Sequence, residues 1–322
     1  NLYWGILGIV LYTFSVALIG IYAQKYGIVG NSLKSFKQNI FTPINYFKGI
    51  TYKSEPLILD INHKNIMKIE DTRSSALKRG MLIAKDSKWV NFKGKKGDKN
   101  IQGKLRLKGW LGDHWERGDG LLSYKIKLKG DQTILGMKRF AIQHPRTRGY
   151  MDEWYFQELV KYAGLISSRN YYIPIILNGK KYPIYHVEEN FEKRLIENNQ
   201  RREGPIFKLF EREYVNKERM TSRKSAISFY QKERWTSTDK GNLLLRRAER
   251  LMKGFFSGEY KPEEVFDVEL FARAWALADL LGHHHSIKWG NLRYYLNPVS
   301  GLIEPIVFDN SIVFSNREKG LL

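Results

Sequence analysis

Two oxygen-bearing side chains, Asn291 and Asp309, stand 18 positions apart. Between them lie two short apolar runs, RYYLN and LIEPIVF, separated by a turn at Pro298–Gly301. An antiparallel hairpin brings its two ends close together, so this spacing would make the amide and the carboxylate neighbours. Both are hard oxygen donors, suited to Mg²⁺, which keeps several of its waters and bridges to substrate phosphates. Asn and Asp also serve turns through local hydrogen bonds, and that plainer reading stands beside the first. Upstream of the hairpin comes His283-His284-His285-Ser286. A second basic stretch, RFAIQHPRTRGYMDEWYFQEL, offers His144, Arg146 and Arg148 as a grip for a phosphate or an acidic substrate, or simply as a basic loop entering a helix.

The elements that must hold these residues read as follows. LILDI (from Leu57) and NIMKI (from Asn65) look like short β runs, and KGKKGDKN (93–100) looks like an exposed turn. KLRLKGW (104–110), SYKIKLKG (123–130) and MKRFAIQ (137–143) alternate in the manner of half-buried strands. Between the first two lies a Gly/Asp-rich loop, LGDHWERGDG. Asp152 is placed to N-cap a helix ending before Gly164, with Trp154, Phe156, Leu159, Val160 and Ala163 on its buried side. YYIPIIL and PIYHVEEN flank Asn178–Gly179, a strong hairpin signal. Asn242–Phe255 and Val268–Leu281 carry apolar residues at helical spacing. A β-rich half followed by a helical half predicts an α+β fold of two lobes.

Composition sets the outer bounds. The chain has 54 Lys+Arg against 33 Asp+Glu, a formal net charge of +21. That favours polyanionic partners: lipid headgroups, nucleotides, acidic polysaccharide or nucleic acid. Nucleic acid is the weakest of these, because no recognisable nucleic-acid motif accompanies the charge. Cysteine is absent, which excludes disulfides, thiolate metal sites and a Cys nucleophile. Leu2 to Ala23 carries no charged residue, with Tyr3, Trp4 and Tyr22 near its ends, and predicts a transmembrane helix. Membrane lipids and the partners of a membrane-protein complex then become expected neighbours. Lys25, Lys34, Lys37 and Lys48 favour a cytoplasmic C-terminal side, and the sidedness stays open. The expected layout is a transmembrane helix at 2–23, a juxtamembrane linker at 24–55, a β-rich region and N-lobe at 56–210, and a helical C-lobe at 211–322. A start at Asn1 and a stop at Leu322 suggest a piece of a longer membrane protein.

Several blocks, in order, resemble the CotH kinase family of atypical, protein-kinase-related enzymes over roughly residues 100–315. KLRLKGW is similar to the family's strand leading into Arg-Gly-Asn, and SYKIKLKG to its Lys-bearing strand. LNGKKYPIYHVEENFEKRLIE, GPIFK and the 282–311 segment resemble later blocks of the same family. The resemblance implies a protein-kinase-like two-lobed fold, here set behind the N-terminal transmembrane helix. It implies binding of ATP with Mg²⁺ or Mn²⁺ and transfer of phosphate to protein; with the N-terminal apolar segment added, the expectation becomes a protein or cell-envelope acceptor at a bacterial envelope membrane. Lys127 would meet the nucleotide phosphates, with Lys108 in place of the family's Arg. Glu189, or Glu188 beside it, would orient the lysine, and Asn291 and Asp309 would hold the metal.

Two departures stand out. Lys108-Gly109-Trp110 replaces Arg-Gly-Asn, keeping the charge and losing the bidentate guanidinium. The histidines stand where the family carries an acidic catalytic residue. His285 is the candidate to orient and accept the proton of a hydroxyl, since an unperturbed pKa near 6.5 suits acid–base work. A transition-metal site or a structural loop are the other readings of the histidines. Loss of the acidic residue also supports an alternative: a catalytically inactive scaffold or binding module in a membrane complex for envelope or polysaccharide assembly.

Overall fold

Alternating strands with one apolar face must bury that face, and here they do so by curling into a cylinder. The computed structural model describes residues 2–25, 54–83, 86–110, 112–116, 121–209, 211–214, 220–223, 227–282, 284–288 and 290–309. The chain divides into two units, Asn1–Ser54 and Glu55–Leu322.

In the first unit, α1 spans Leu2–Lys25. Among the described residues no helix is long and apolar enough to cross a membrane. The transmembrane assignment of 2–23, and the membrane location built on it, are corrected accordingly. Residues 26–53 of the expected linker lie outside the described residues.

The second unit begins with β1 (Leu57–Asp60) and α2 (His63–Arg79). NIMKI is therefore helical, not a strand. The Asn62 side chain accepts from the Asn65 amide at 2.9 Å, and Gly80 closes the helix in the left-handed region at φ 75°. Next come β2 (Val90–Lys96), β3 (Lys99–Leu107), β4 (Tyr124–Leu128) and β5 (Arg139–Gln143). KGKKGDKN is mostly strand, its turn reduced to Gly97–Asp98. After α3 (Asp152–Tyr162) follow β6 (Asn170–Leu177) and β7 (Lys180–Glu189). The N-cap of α3 is Met151, with Asp152 already its first helical residue.

The seven strands form a closed barrel in the order β1-β2-β3-β4-β5-β7-β6. Leu57–Leu59 close it, pairing antiparallel with Gly94–Lys96 on one side and parallel with Ile175–Leu177 on the other. Leu57, Leu59, Leu105, Ile126, Phe140 and Val187 fill the interior, all fully buried. This overturns the expected protein-kinase-like pair of lobes behind a transmembrane helix. Each strand's alternation was legible, but closure removes the open edges of an N-lobe sheet.

The remainder of the unit comprises α4 (Lys193–Asn198), β8 (Ile206–Lys208), β9 (Glu211–Tyr214), β10 (Met220–Arg223), β11 (Ser228–Phe229), α5 (Lys232–Thr236), α6 (Asp239–Ser257), α7 (Pro262–Val265), α8 (Val268–Leu280), β12 (Arg293–Leu296) and β13 (Ile303–Ile306). A four-stranded sheet runs β11-β8-β12-β13. It packs with α3, α6 and α8 around Phe156, Val160, Phe207, Met252, Ala274 and Leu296. The expected late hairpin is β12–β13, with Arg293 opposite Ile306 and Leu296 opposite Ile303.

Candidate functional site

The outer face of the barrel carries the polar alternates of β3, β4, β5, β7 and β6. Strand register sets Arg106 opposite Lys125, Lys125 opposite Ala141, Ala141 opposite Glu188 and Glu188 opposite Asn170. Directly opposed residues share a face, so these side chains form one rung. The next rung places Gln143 opposite His186.

Lys108 follows β3 by one residue and is anchored there by its amide, which donates to the Ser123 carbonyl at 2.8 Å. Its ammonium donates to Gln143 Oε1 and to Glu188 Oε2, each at 2.7 Å. The Gln143 amide donates to Glu188 Oε2 at 2.6 Å and lies 3.1 Å from His186 Nδ1. His186 Nε2 meets Asn170 Oδ1 at 2.8 Å, and the Asn170 amide nitrogen donates to the Ser168 carbonyl at 3.0 Å. Following donors and acceptors along this chain leaves one consistent state: His186 is neutral, accepts at Nδ1 and donates from Nε2.

Arg148 extends the network. It ends a short 3₁₀ turn, Pro145–Arg148, that His144 caps by accepting from the Arg146 amide at 3.2 Å. Arg148 Nε donates to Glu188 Oε2 at 3.2 Å, and Nη1 reaches Asp309 Oδ1 at 2.6 Å. Asp309 sits in the left-handed region at φ 62°, three residues past β13. Such a conformation costs energy in a non-glycine residue and persists where surrounding contacts over-determine it. On its other side, Asp309 Oδ2 lies 3.6 Å from His285 Nε2. The Asn291 amide nitrogen donates to the His285 carbonyl at 3.1 Å. The hairpin thus brings Asn291 and Asp309 to the same residue, His285, one on its backbone and one beside its ring.

The electrostatics follow from burial and partners. Burial alone would raise the Glu188 carboxyl, but Arg148 and Lys108 outweigh it and hold the group well below the usual range. Burial likewise works against the Asp309 carboxylate, and Arg148 with His285 brings its pKa down. Lys108 is lowered by burial, with Glu188 opposing. His186 and His114 are each pushed down to about 3, first by burial. Lys125 falls to about 8 through burial and the positive charges of Arg106 and Lys108.

The remaining predicted residues lie elsewhere. Glu189 points away from this rung and binds Arg169, whose Nε donates to Oε2 at 2.9 Å. Lys127 is exposed and lines a cleft of about 510 Å³ with Lys138, Arg139, Glu192, Lys193 and Arg194. Of the two glutamates weighed from sequence, Glu188 is the one that meets a lysine, and that lysine is Lys108. Gln143, His186 and Lys125 were not singled out from sequence. The signal was present: His186 and Glu188 are alternate residues of one strand and must share a face, from which Glu189 is excluded.

Among the described residues no group of three or more His, Cys, Asp or Glu is arranged to hold a metal. Asp309 and Asn291 supply one carboxylate and one amide oxygen. That is too few for a cage made by protein alone, and it suits an ion that arrives with phosphates and water.

No curated protein matches the chain. The family model described as CotH kinase protein matches residues 115–320, which covers Gln143, Arg148, Glu188, His285, Asn291 and Asp309. With well over half its length matched, the chain belongs to the CotH kinase family.

Proposed function

We propose that the protein is a phosphotransferase that takes the γ-phosphoryl group of ATP and passes it to a hydroxyl, most simply on a protein. The observation that carries this reading is the continuous network Lys108–Glu188–Arg148–Asp309, ending where His285 and Asn291 converge. Phosphoryl transfer needs little covalent help from a protein; it needs positioned cations and a group to orient the nucleophile. Glu188 fixes Lys108 and Arg148 in place, as an acidic partner fixes the phosphate-binding lysine of protein kinases. Lys127 and the basic cleft beside it suit the charge of a nucleotide. Mg²⁺ or Mn²⁺ bound with the nucleotide, between Asp309 and Asn291, would offset the phosphate charge. His285 is half-exposed, with Nε2 3.6 Å from Asp309 Oδ2, so its ring is held where it could orient an incoming hydroxyl.

A second reading has one observation in its favour. Arg148 already occupies Asp309 Oδ1, which leaves that carboxylate partly neutralised. A binding module that holds nucleotide without transferring phosphate would look the same. Calorimetry with ATP and Mg²⁺, run alongside transfer from γ-labelled ATP, separates the two. Phosphotransfer predicts binding plus label incorporation, with Asp309→Asn losing about 10²–10³-fold in rate. Binding without incorporation would replace it with the second reading, and binding of neither kind would remove both.

A further inference from the structure

We propose that Lys125 is a phosphate-binding residue of this cleft, its ammonium taking a phosphoryl group of the bound nucleotide. The inference rests on the phosphotransferase reading of the site and adds a residue to it.

Three observations lead there. The first is placement. Lys125 lies on the outer face of β4 with Arg106 across β3 and Ala141 across β5, and Glu188 lies one strand further on. With strands about 4.8 Å apart, Lys125 and Glu188 are separated by roughly 10 Å over the small Ala141 side chain. Glu188 turns to Lys108 and Arg148 instead, and forms no ion pair with Lys125.

The second is commitment of the neighbours. Lys108 donates to Gln143 and Glu188. Arg148 bridges Glu188 and Asp309. Arg293 donates to the Tyr230 hydroxyl at 2.6 Å and to the Gly290 and Asn291 carbonyls at 2.9 and 2.7 Å, with its guanidinium 4.9 Å from the Phe308 ring centre. Arg106 lies 4.8 Å from the Trp89 ring centre. The Lys125 ammonium has neither a hydrogen bond nor an ion pair among the described residues. It feels the positive charges of Arg106, Lys108 and Arg293, opposed by Glu188. A desolvated ammonium surrounded by like charge is unfavourable until an anion arrives, and a phosphoryl group brings both charge and acceptor oxygens.

The third is continuity. Lys127 follows two residues along the same strand face, about 6.6 Å away at the rise of a β-strand. It opens onto the basic cleft with Lys138 and Arg139. A polyphosphate lying along β4 would meet Lys127 and then Lys125, on the way to the Lys108–Asp309 network.

The test is calorimetry on the full chain with three probes: ATP with Mg²⁺, inorganic tripolyphosphate, and adenosine. Lys125→Gln should weaken ATP and tripolyphosphate by about tenfold or more, the loss of one charge-assisted contact. Lys125→Arg should recover part of that loss, and adenosine binding should be unchanged. Tripolyphosphate binding that is lost in Lys125→Gln supports the role of Lys125 even if ATP does not bind; only the phosphotransferase reading then falls. Unchanged affinity of Lys125→Gln for both phosphate probes overturns the proposal, as does a wild-type chain that binds neither. If the glutamine variant fails to fold, amine acylation of the wild-type chain decides. Tripolyphosphate must slow labelling of Lys125 several-fold, and equal labelling with and without it overturns the proposal.

Discussion

Glu188 is the residue on which the site turns. It is buried and accepts from Lys108, Gln143 and Arg148 at once. Removing one partner of a buried ion set leaves uncompensated charge, so Glu188→Gln should cost about 3–5 kcal/mol of stability, read by denaturant unfolding. A loss under about 1 kcal/mol would mean that the two cations do not depend on it. His186 and His114 give a pH signature. Their pKa values fall from 6.5 to about 3 on folding. Between those values the unfolded chain binds protons that the folded chain does not, so stability falls as pH drops through that window. The slope is up to about 1.4 kcal/mol per pH unit for each histidine. Below pH 4.5 the depressed Glu188 adds to the loss, as its stabilisation disappears when pH falls through its folded pKa. Unfolding measured from pH 7 to pH 4 should show this slope, and His186→Gln should remove about half of the histidine part. An unchanged slope in that variant would contradict neutral burial. At this scale the sequence singled out Lys108, Arg148, Asn291, Asp309 and His285 as candidates, and the fold brings them into one network. It could not choose Glu188 over Glu189, because two adjacent strand residues differ only in which face is inside.

Barrel closure is the event that gives the site its wall. Gly94 permits it: a Cβ there would stand 2.1 Å from the Ile58 carbonyl oxygen of β1. Backbone cannot give way as a flexible side chain can. Gly94→Ala should therefore cost about 1–3 kcal/mol and lower the thermal midpoint, since β1 must shift or detach. Wild-type stability in that variant would show that β1 is not held at this distance. The local signals for β3, β4, β5 and the β12–β13 hairpin were legible because alternation and turn residues act over a few positions. Closure was not, because it joins residues 57–59 to residues 175–177. Nor was α2. NIMKI alone reads as a strand, and only its continuation to Arg79, with Ile69 and Ala76 buried on one side, reveals the helix.

On the scale of the whole molecule, a net charge of +21 and a cleft rich in lysine and arginine imply anion binding that weakens with salt. ATP affinity measured at about 0.05 and about 0.5 M salt should fall, because the Debye length shrinks across that range. Salt-independent affinity would argue that the cleft charges are already neutralised within the protein. The apolar start of the chain was legible as a helix, and the unit from Glu55 onward carries every residue of the candidate site. The central claim is that the Lys108–Glu188–Arg148–Asp309 network is where nucleotide phosphate is handled. A crystal structure of the chain with Mg²⁺ and a non-hydrolysable ATP analogue tests it most directly. The terminal phosphate is expected beside His285, the metal between Asp309 and Asn291, and the remaining phosphates along β4. A nucleotide bound away from this network would contradict it.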